Sequence, residues 1–196
     1  DPKKLKNAIK TALKSVPVAD KKVTRSEKKQ VSAVHFDEIV GKGKRIKLVL
    51  KKIREIADID VPVLVTGESG TGKELVARAI HQSSKRSDKP FIAVNTGAIA
   101  KDLIISELFG HEKGSFTGAV DQKKGKFEEA NGGTLFLDEI STMNESVQIA
   151  LLRVLENHTI DRVGGKREIP VDVRIVAATN ENLEDCISAG TFREDL

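Results

Sequence analysis

The sequence contains no tryptophan, no tyrosine, seven phenylalanines and one cysteine, Cys186. A single cysteine excludes an internal disulfide and agrees with a reducing, cytoplasmic setting. No apolar run exceeds strand length, so a membrane-spanning helix and a membrane partner are excluded at this level. There is no signal peptide, no internal repeat and no low-complexity tract. The chain does not begin with Met, so a true N-terminus upstream is expected. An excess of one charge sign is also small over most of the chain. Residues 1–30 hold ten Lys/Arg against three Asp/Glu, whereas the other 166 residues hold 23 against 26. The net charge of +4 therefore belongs to the leading segment and does not make the rest a nucleic-acid binder.

What is present is enough apolar material, 39 % of 196 residues, for one domain and part of a second. Residues 5–16 (LKNAIKTALKSV) place Leu5, Ile9, Ala12, Leu13 and Val16 at helical spacing, and residues 17–35 are polar and charged and read as a linker. From Phe36 onward apolar β-rich runs at 61–66, 91–94, 134–137 and 171–178 alternate with helical patterns at 45–57, 73–82, 101–109 and 145–156. Strands alternating with helices predict an α/β domain with a parallel sheet flanked by helices.

Three strand ends carry the chemistry. Gly67-Glu68-Ser69-Gly70-Thr71-Gly72-Lys73 follows a strand, opens a helix and matches the phosphate-binding pattern G-x-x-x-x-G-K. Its glycines let backbone N–H groups converge on phosphate oxygens at a helix N-terminus, and Lys73 reaches the β- and γ-phosphates. Glu74 stands where a Ser/Thr usually touches Mg2+, so the metal is expected to be held differently, through water. "GGTLFLDEIS" brings Asp138 and Glu139 to the C-terminal end of a buried strand, where open α/β sheets place ligands. Asp138 would hold Mg2+ or its waters, and Glu139 would orient and deprotonate an attacking water. "VRIVAATN" ends in Thr179 and Asn180, and "FIAVN" ends in Asn95. These amides either position water and sense phosphate or simply make turns. For Arg193, spacing alone favours a surface salt bridge. "ELFGHEKGSFTGAV" mounts the scarce Phe116 between Gly114 and Gly118, either as an anchor for a partner or folded back on its own domain.

These residues resemble a known family, the AAA+ domain of NtrC-type bacterial enhancer-binding proteins, the activators of sigma-54 RNA polymerase. The matching stretches are GESGTGKE (67–74), SELFGHEKGSFTGA (106–119), GGTLFLDEI (132–140), LLRVLE (151–156), RVGG (162–165), VRIVAATN (173–180) and FREDL (192–196). Helicase loaders and other generic AAA+ remodellers share the phosphate loop and the DE strand but not the GSFTGA loop. A nucleotide-switched regulator without sigma-54 contact would need neither Glu139 nor the Phe-Thr pair.

The resemblance implies a P-loop AAA+ ATPase over 36–196, with ATP and Mg2+ as cofactors. Residues 67–74 would bind ATP, and Val40 and Gly41 would form part of the adenine pocket. Asn95 would pair with and switch Glu139, Asn180 would be a first sensor, and Arg193 would be a finger acting across a subunit interface. Gly114, Ser115, Phe116, Thr117, Gly118 and Ala119 would contact sigma-54, driven by ATP turnover in a homo-oligomeric ring, hexamer or heptamer. Residues 1–16 would end a receiver domain that answers to a sensor kinase. The lid subdomain, a second arginine finger and a domain binding enhancer DNA would lie beyond Leu196, so this stretch alone would hydrolyse ATP weakly. Ser115 replaces the common Ala of the loop, Ile105 replaces an acid, and "NTGAIA" (95–100) replaces a more usual Asn-Cys-Ala-Ala-Ile-Pro.

Overall fold

The computed structural model describes residues 43–196. The helix expected at 5–16, the linker, and Val40 and Gly41 lie outside the described residues.

A four-stranded parallel sheet is built from β1 (Val63–Thr66), β2 (Phe91–Asn95), and two later strands, Thr134–Asp138 and Arg174–Thr179. Between β2 and the third sheet strand come two short helices and a short ribbon. In chain order the elements are α1 (Lys44–Ala57), β1, α2 (Lys73–Gln82), β2, α3 (Ile104–Phe109), β3 (Gly110–His111) and β4 (Lys123–Lys124). Then follow α4 (Lys126–Glu129), β5 (Thr134–Asp138), a 3-10 turn (Ile140–Thr142), α5 (Glu145–Asn157), β6 (Thr159–Asp161), β7 (Glu168–Pro170), β8 (Arg174–Thr179) and α6 (Leu183–Ser188). The sheet order is β1-β8-β5-β2, and every neighbouring pair is parallel. The chain therefore crosses from one edge to the other and fills the centre last. This leaves the C-terminal ends of β1, β8 and β5 side by side.

Burial explains the strands. Leu135, Phe136 and Leu137 of β5 are all buried, as a central parallel strand covered on both faces requires. Their side chains alternate. Phe136 packs with Ile53 of α1, Ala77 and Ile80 of α2, and Val176 and Ala178 of β8. Leu135 and Leu137 face Leu108, Phe127, Val147, Leu151 and Ile175 on the other side. Arg174, the first residue of β8, is buried and donates to the carbonyls of Ala57 (2.5 Å) and Ile56 (2.8 Å), capping the end of α1. Burial lowers its pKa.

Several boundaries differ from the sequence reading, two of them by three residues. The helix expected from residue 101 starts at Ile104, after a turn closed by Leu103 N–H to the Ala100 carbonyl. The strand expected from 171 starts at Arg174, because Val171 and Asp172 donate instead to the His158 carbonyl and to Asn131 Oδ1. The ribbons β3–β4 and β6–β7 were not expected, since two- and three-residue strands of mixed polarity carry no readable alternation.

Candidate nucleotide site and projecting loop

β1 delivers the chain into the phosphate loop, whose first residue, Gly67, donates its N–H to the Thr179 carbonyl at the end of β8. Gly70 and Gly72 take φ of 75° and 83°, the left-handed region that a side chain disfavours. Gly72 caps α2, and no side chain bonds the exposed N–H groups of that helix start. Free N–H groups at the positive end of a ten-residue helix form an anion cradle. Lys73 Nζ arches over it, donating to the carbonyls of Gly67 and Glu68, both at 3.0 Å. Thr71 Oγ1 closes the loop on the Glu68 carbonyl at 2.7 Å. Glu68, Ser69, Gly70 and Thr71 are exposed. The loop thus offers backbone donors and one cation to solvent, which fits a polyphosphate. Glu74 turns along the helix to pair with Arg78 (2.7 Å). Among the described residues, no cluster of three or more His, Cys, Asp or Glu is placed to hold a metal.

The acids emerge at the end of β5. Asp138 lies in register with Asn95 of β2, and its Oδ1 accepts the Glu139 N–H at 3.0 Å. Glu139 has φ 58° and ψ 42°, a left-handed conformation that costs a residue with a Cβ about 1–3 kcal/mol. What holds it there is a pair of threonines that the sequence did not single out. Thr96, buried after β2, donates Oγ1 to the carbonyls of both Asp138 (2.9 Å) and Glu139 (2.8 Å). Thr142 donates its hydroxyl and its N–H to the Glu139 carbonyl. A Cβ built on Gly97 would collide with the Glu139 carboxylate, so the glycine after Thr96 makes room for the side chain. The sequence signal for Thr96 was only its place one residue past a strand end.

The remaining site residues are distributed as follows. Asn95 borders the same pocket, but its Oδ1 accepts the Ala98 N–H at 3.0 Å, as a turn-forming amide does. Asn180 is exposed directly after β8, between the exits of β1 and β5. Arg193 makes a two-pronged pair with Asp195 (2.8 and 2.6 Å) and a longer one with Glu145 (3.7 Å). It thus carries the salt bridges that spacing alone suggested.

The GSFTGA stretch caps the β3–β4 ribbon. It is internally bonded, Gly114 N–H to Ala119 O (2.8 Å) and Ala119 N–H to Phe116 O (3.0 Å), with Gly114 and Gly118 at φ 77° and 104°. Phe116 is 39 % exposed and meets His111 edge-on at 5.0 Å, so the ring leans on its own ribbon while keeping an open face. Thr117 and Gly118 are exposed and Ala119 is buried. A second loop supports the first. Val163 N–H bonds Gly110 O, Glu112 N–H bonds Val163 O, and Gly164, at φ 74°, lies so close to Ser115 that a Cβ there would stand 2.6 Å from the serine Cβ. Arg162 locks the two loops together. It donates twice to Glu128 (2.8 and 2.7 Å) and once to Glu112 (3.0 Å). These bonds hold both carboxyls below the usual range: Arg162 acts first on Glu128, whereas Gln122 acts first on Glu112, followed by Arg162. Arg162 belongs to the "RVGG" stretch, yet nothing in the sequence showed which acids it would meet.

Among the described residues no helix is long and apolar enough to cross a membrane. Residues 39–196 match the model of the family described as the Sigma-54 interaction domain. The chain is 55 % identical over 163 residues to the Nif-specific regulatory protein of Rhodobacter capsulatus, covering 83 % of this chain and 28 % of that one. It is 55 % identical over 159 residues to the DNA-binding transcriptional regulator NtrC of Escherichia coli (strain K12), covering 81 % and 34 %. A solved structure of NtrX from Brucella abortus in complex with ATP superposes with a TM-score of 0.74 at 43 % identity, covering 80 % of this chain and 34 % of that one. The chain thus spans about a third of the length of the relatives it matches. Taken with the phosphate cradle, the paired acids and the projecting GSFTGA loop, these matches show that the chain belongs to the sigma-54 interaction domain family, the AAA+ P-loop NTPase domain of sigma-54-dependent transcriptional activators.

Proposed function

We propose that this domain hydrolyses ATP within a homo-oligomeric ring, hexamer or heptamer, and uses the turnover to drive the GSFTGA loop against sigma-54, remodelling the closed polymerase complex. The observation that carries the reading is the strained Glu139, held beside Asp138 by two threonines and level with the phosphate loop. A left-handed residue with a Cβ persists where its surroundings fix it for use.

Backbone N–H groups of Gly70, Thr71 and Gly72 and the ammonium of Lys73 hold the β- and γ-phosphates. Ser69, Glu68 and Gly67 shape the turn, and Glu74 remains on Arg78. Asp138 would hold Mg2+ or its waters, and the ion would supply neutralisation of the negative charge that develops on the leaving oxygen. Glu139 orients the attacking water and accepts its proton at the carboxylate. Asn95 and Asn180 border that water, and either amide would report the state of the γ-phosphate. Arg193, leaving Asp195, serves the neighbouring subunit's γ-phosphate, a contribution of about 10³–10⁵ in rate in comparable systems. By the family resemblance, Val40 and Gly41 would form part of the adenine pocket. Phe116 and Thr117 form the exposed contact, flanked by Gly114, Ser115, Gly118 and Ala119. A receiver domain under a sensor kinase and a DNA-binding domain for enhancer sites complete the parent activator, which acts in the cytoplasm.

The test separates binding from turnover. In calorimetric titration of the complete protein with Mg·ATP, Lys73→Ala should abolish binding while Glu139→Gln binds as wild type and loses nearly all hydrolysis. Unchanged affinity in the first variant, or unchanged turnover in the second, would remove that residue from the mechanism.

A further inference from the structure

Gln148 sits on the inward face of α5, 1 % exposed, among Val147, Leu151 and Val154. An apolar side chain would suit that face. A buried amide is tolerated only when bonded, and this one is fully used. Its Nε2 donates to the carbonyls of Met143 (2.8 Å) and Thr191 (3.0 Å), and its Oε1 accepts the Arg193 N–H (2.9 Å). The orientation is not ambiguous: turned over, the oxygen would face two carbonyls and the amino group an N–H.

The three groups it joins belong to two distant segments. Met143 ends the 3-10 turn that begins directly after Glu139. Thr191 and Arg193 flank Phe192, which is buried and plugs this segment into the core. Past α6 the segment's other backbone bonds run back to α6 itself: Ala189 N–H to the Asp185 carbonyl, Gly190 N–H to the Ile187 carbonyl, and Thr191 and Phe192 N–H to the Cys186 carbonyl. At the tip, Asp195 holds the Arg193 guanidinium in one plane through two parallel bonds.

We propose that Gln148 is the positioning residue for Arg193. It pins the arginine-bearing segment to the helix that leaves the Asp138–Glu139 strand end, so the guanidinium presented to a neighbour is set by the same frame as the subunit's own catalytic acids. This rests on the reading of Arg193 as a residue acting across the subunit interface. A finger displaced by about 1 Å loses on the order of 10²-fold in rate.

Gln148→Met and Gln148→Glu are each made in the complete protein. Both should bind Mg·ATP as wild type, keep KM for ATP, and lose kcat by on the order of 10²-fold. Each is then mixed with Lys73→Ala, which has a dead site of its own and an intact Arg193. Activity should return in the mixture, because the Gln148 variant's sound site now meets a sound finger from its neighbour. An Arg193→Ala plus Lys73→Ala mixture runs alongside. If that control regains activity and the Gln148 mixtures do not, the role of Gln148 through the finger is overturned while the finger reading stands. If the control also stays inactive, it is the finger reading that fails, and the proposal falls with it. Loss of ATP binding by both Gln148 variants would likewise overturn it, since that places Gln148 in its own subunit's site.

Discussion

Replacing Arg162 by Met removes the pin between the projecting loop and the loop beneath it, and the structure sets the size of the effect. The side chains of Arg162 and Glu128 are 13 % and 11 % exposed and share two parallel bonds. An exposed pair contributes about 0–1 kcal/mol. Breaking a buried one by deleting a partner costs about 3–5 kcal/mol, because the remaining charge is left unpaired. Met preserves the packing of the arginine stem, so the loss is chiefly that of charged hydrogen bonds, about 2–3 kcal/mol. At about 2–4 °C per kcal/mol for a chain of this size, Tm should fall by about 4–12 °C. The pH dependence gives an independent check. Glu128 and Glu112 are both held below their unfolded value of 4.5. Between folded and unfolded values the unfolded chain therefore binds more protons, and stability rises with pH. The contribution is complete above pH 4.5 and is lost as pH falls through the folded values. Thermal unfolding followed by circular dichroism from neutral pH into acid should show a shallower acid limb in Arg162→Met than in wild type. A Tm change under about 2 °C, or identical acid limbs, would refute the argument.

Glu139→Gly should abolish turnover yet raise unfolding stability by about 1 kcal/mol or more, because it releases a left-handed conformation that a Cβ disfavours; calorimetric unfolding beside an ATPase assay checks the trade, and a destabilised variant would contradict it. Ser115 Oγ is buried with no hydrogen-bond partner, so Ser115→Ala should be neutral or stabilising by up to about 1 kcal/mol and leave promoter opening intact or improved. A clear loss of stability would show that the hydroxyl has a partner in solution. His81 is buried on Thr134, and burial lowers its pKa below 6.5; its neutral form is favoured in the folded state, so its share of stability is complete above pH 6.5 and declines as pH falls toward the folded value. His81→Gln should flatten that part of the stability profile.

The central sheet was legible because buried parallel strands are written as unbroken apolar runs: TLFLD and RIVAAT show where each strand ends, although the second starts at Arg174 rather than at 171. The phosphate loop was legible because its glycines and lysine sit within one turn of chain. What the sequence did not show depends on distant pairing. Thr96 reaches Glu139 across 43 positions, Arg162 reaches Glu112 across 50, and Gln148 reaches Thr191 across 43. Each is an ordinary polar residue until the fold brings its partner close. Asn95 was read from its strand-end position as a water-positioning or a turn-forming amide, and its Oδ1 accepts the Ala98 N–H as a turn-forming amide does. Phe116 was read as an anchor or a folded-back ring; the structure shows one face on His111 and the other in solvent.

The central claim is that ATP chemistry in the sheet does mechanical work through the loop. Thr117 is exposed at the loop tip, and no hydrogen bond links it to Asp138, Glu139 or Lys73. The most direct test measures ATPase rate and open-complex formation with sigma-54 polymerase side by side for Thr117→Ala in the complete protein. The account predicts substantial ATPase activity with no open complexes and no binding to sigma-54 in the presence of a transition-state mimic of ATP. Promoter opening at the wild-type level would contradict it and leave a AAA+ ATPase whose loop is not its effector.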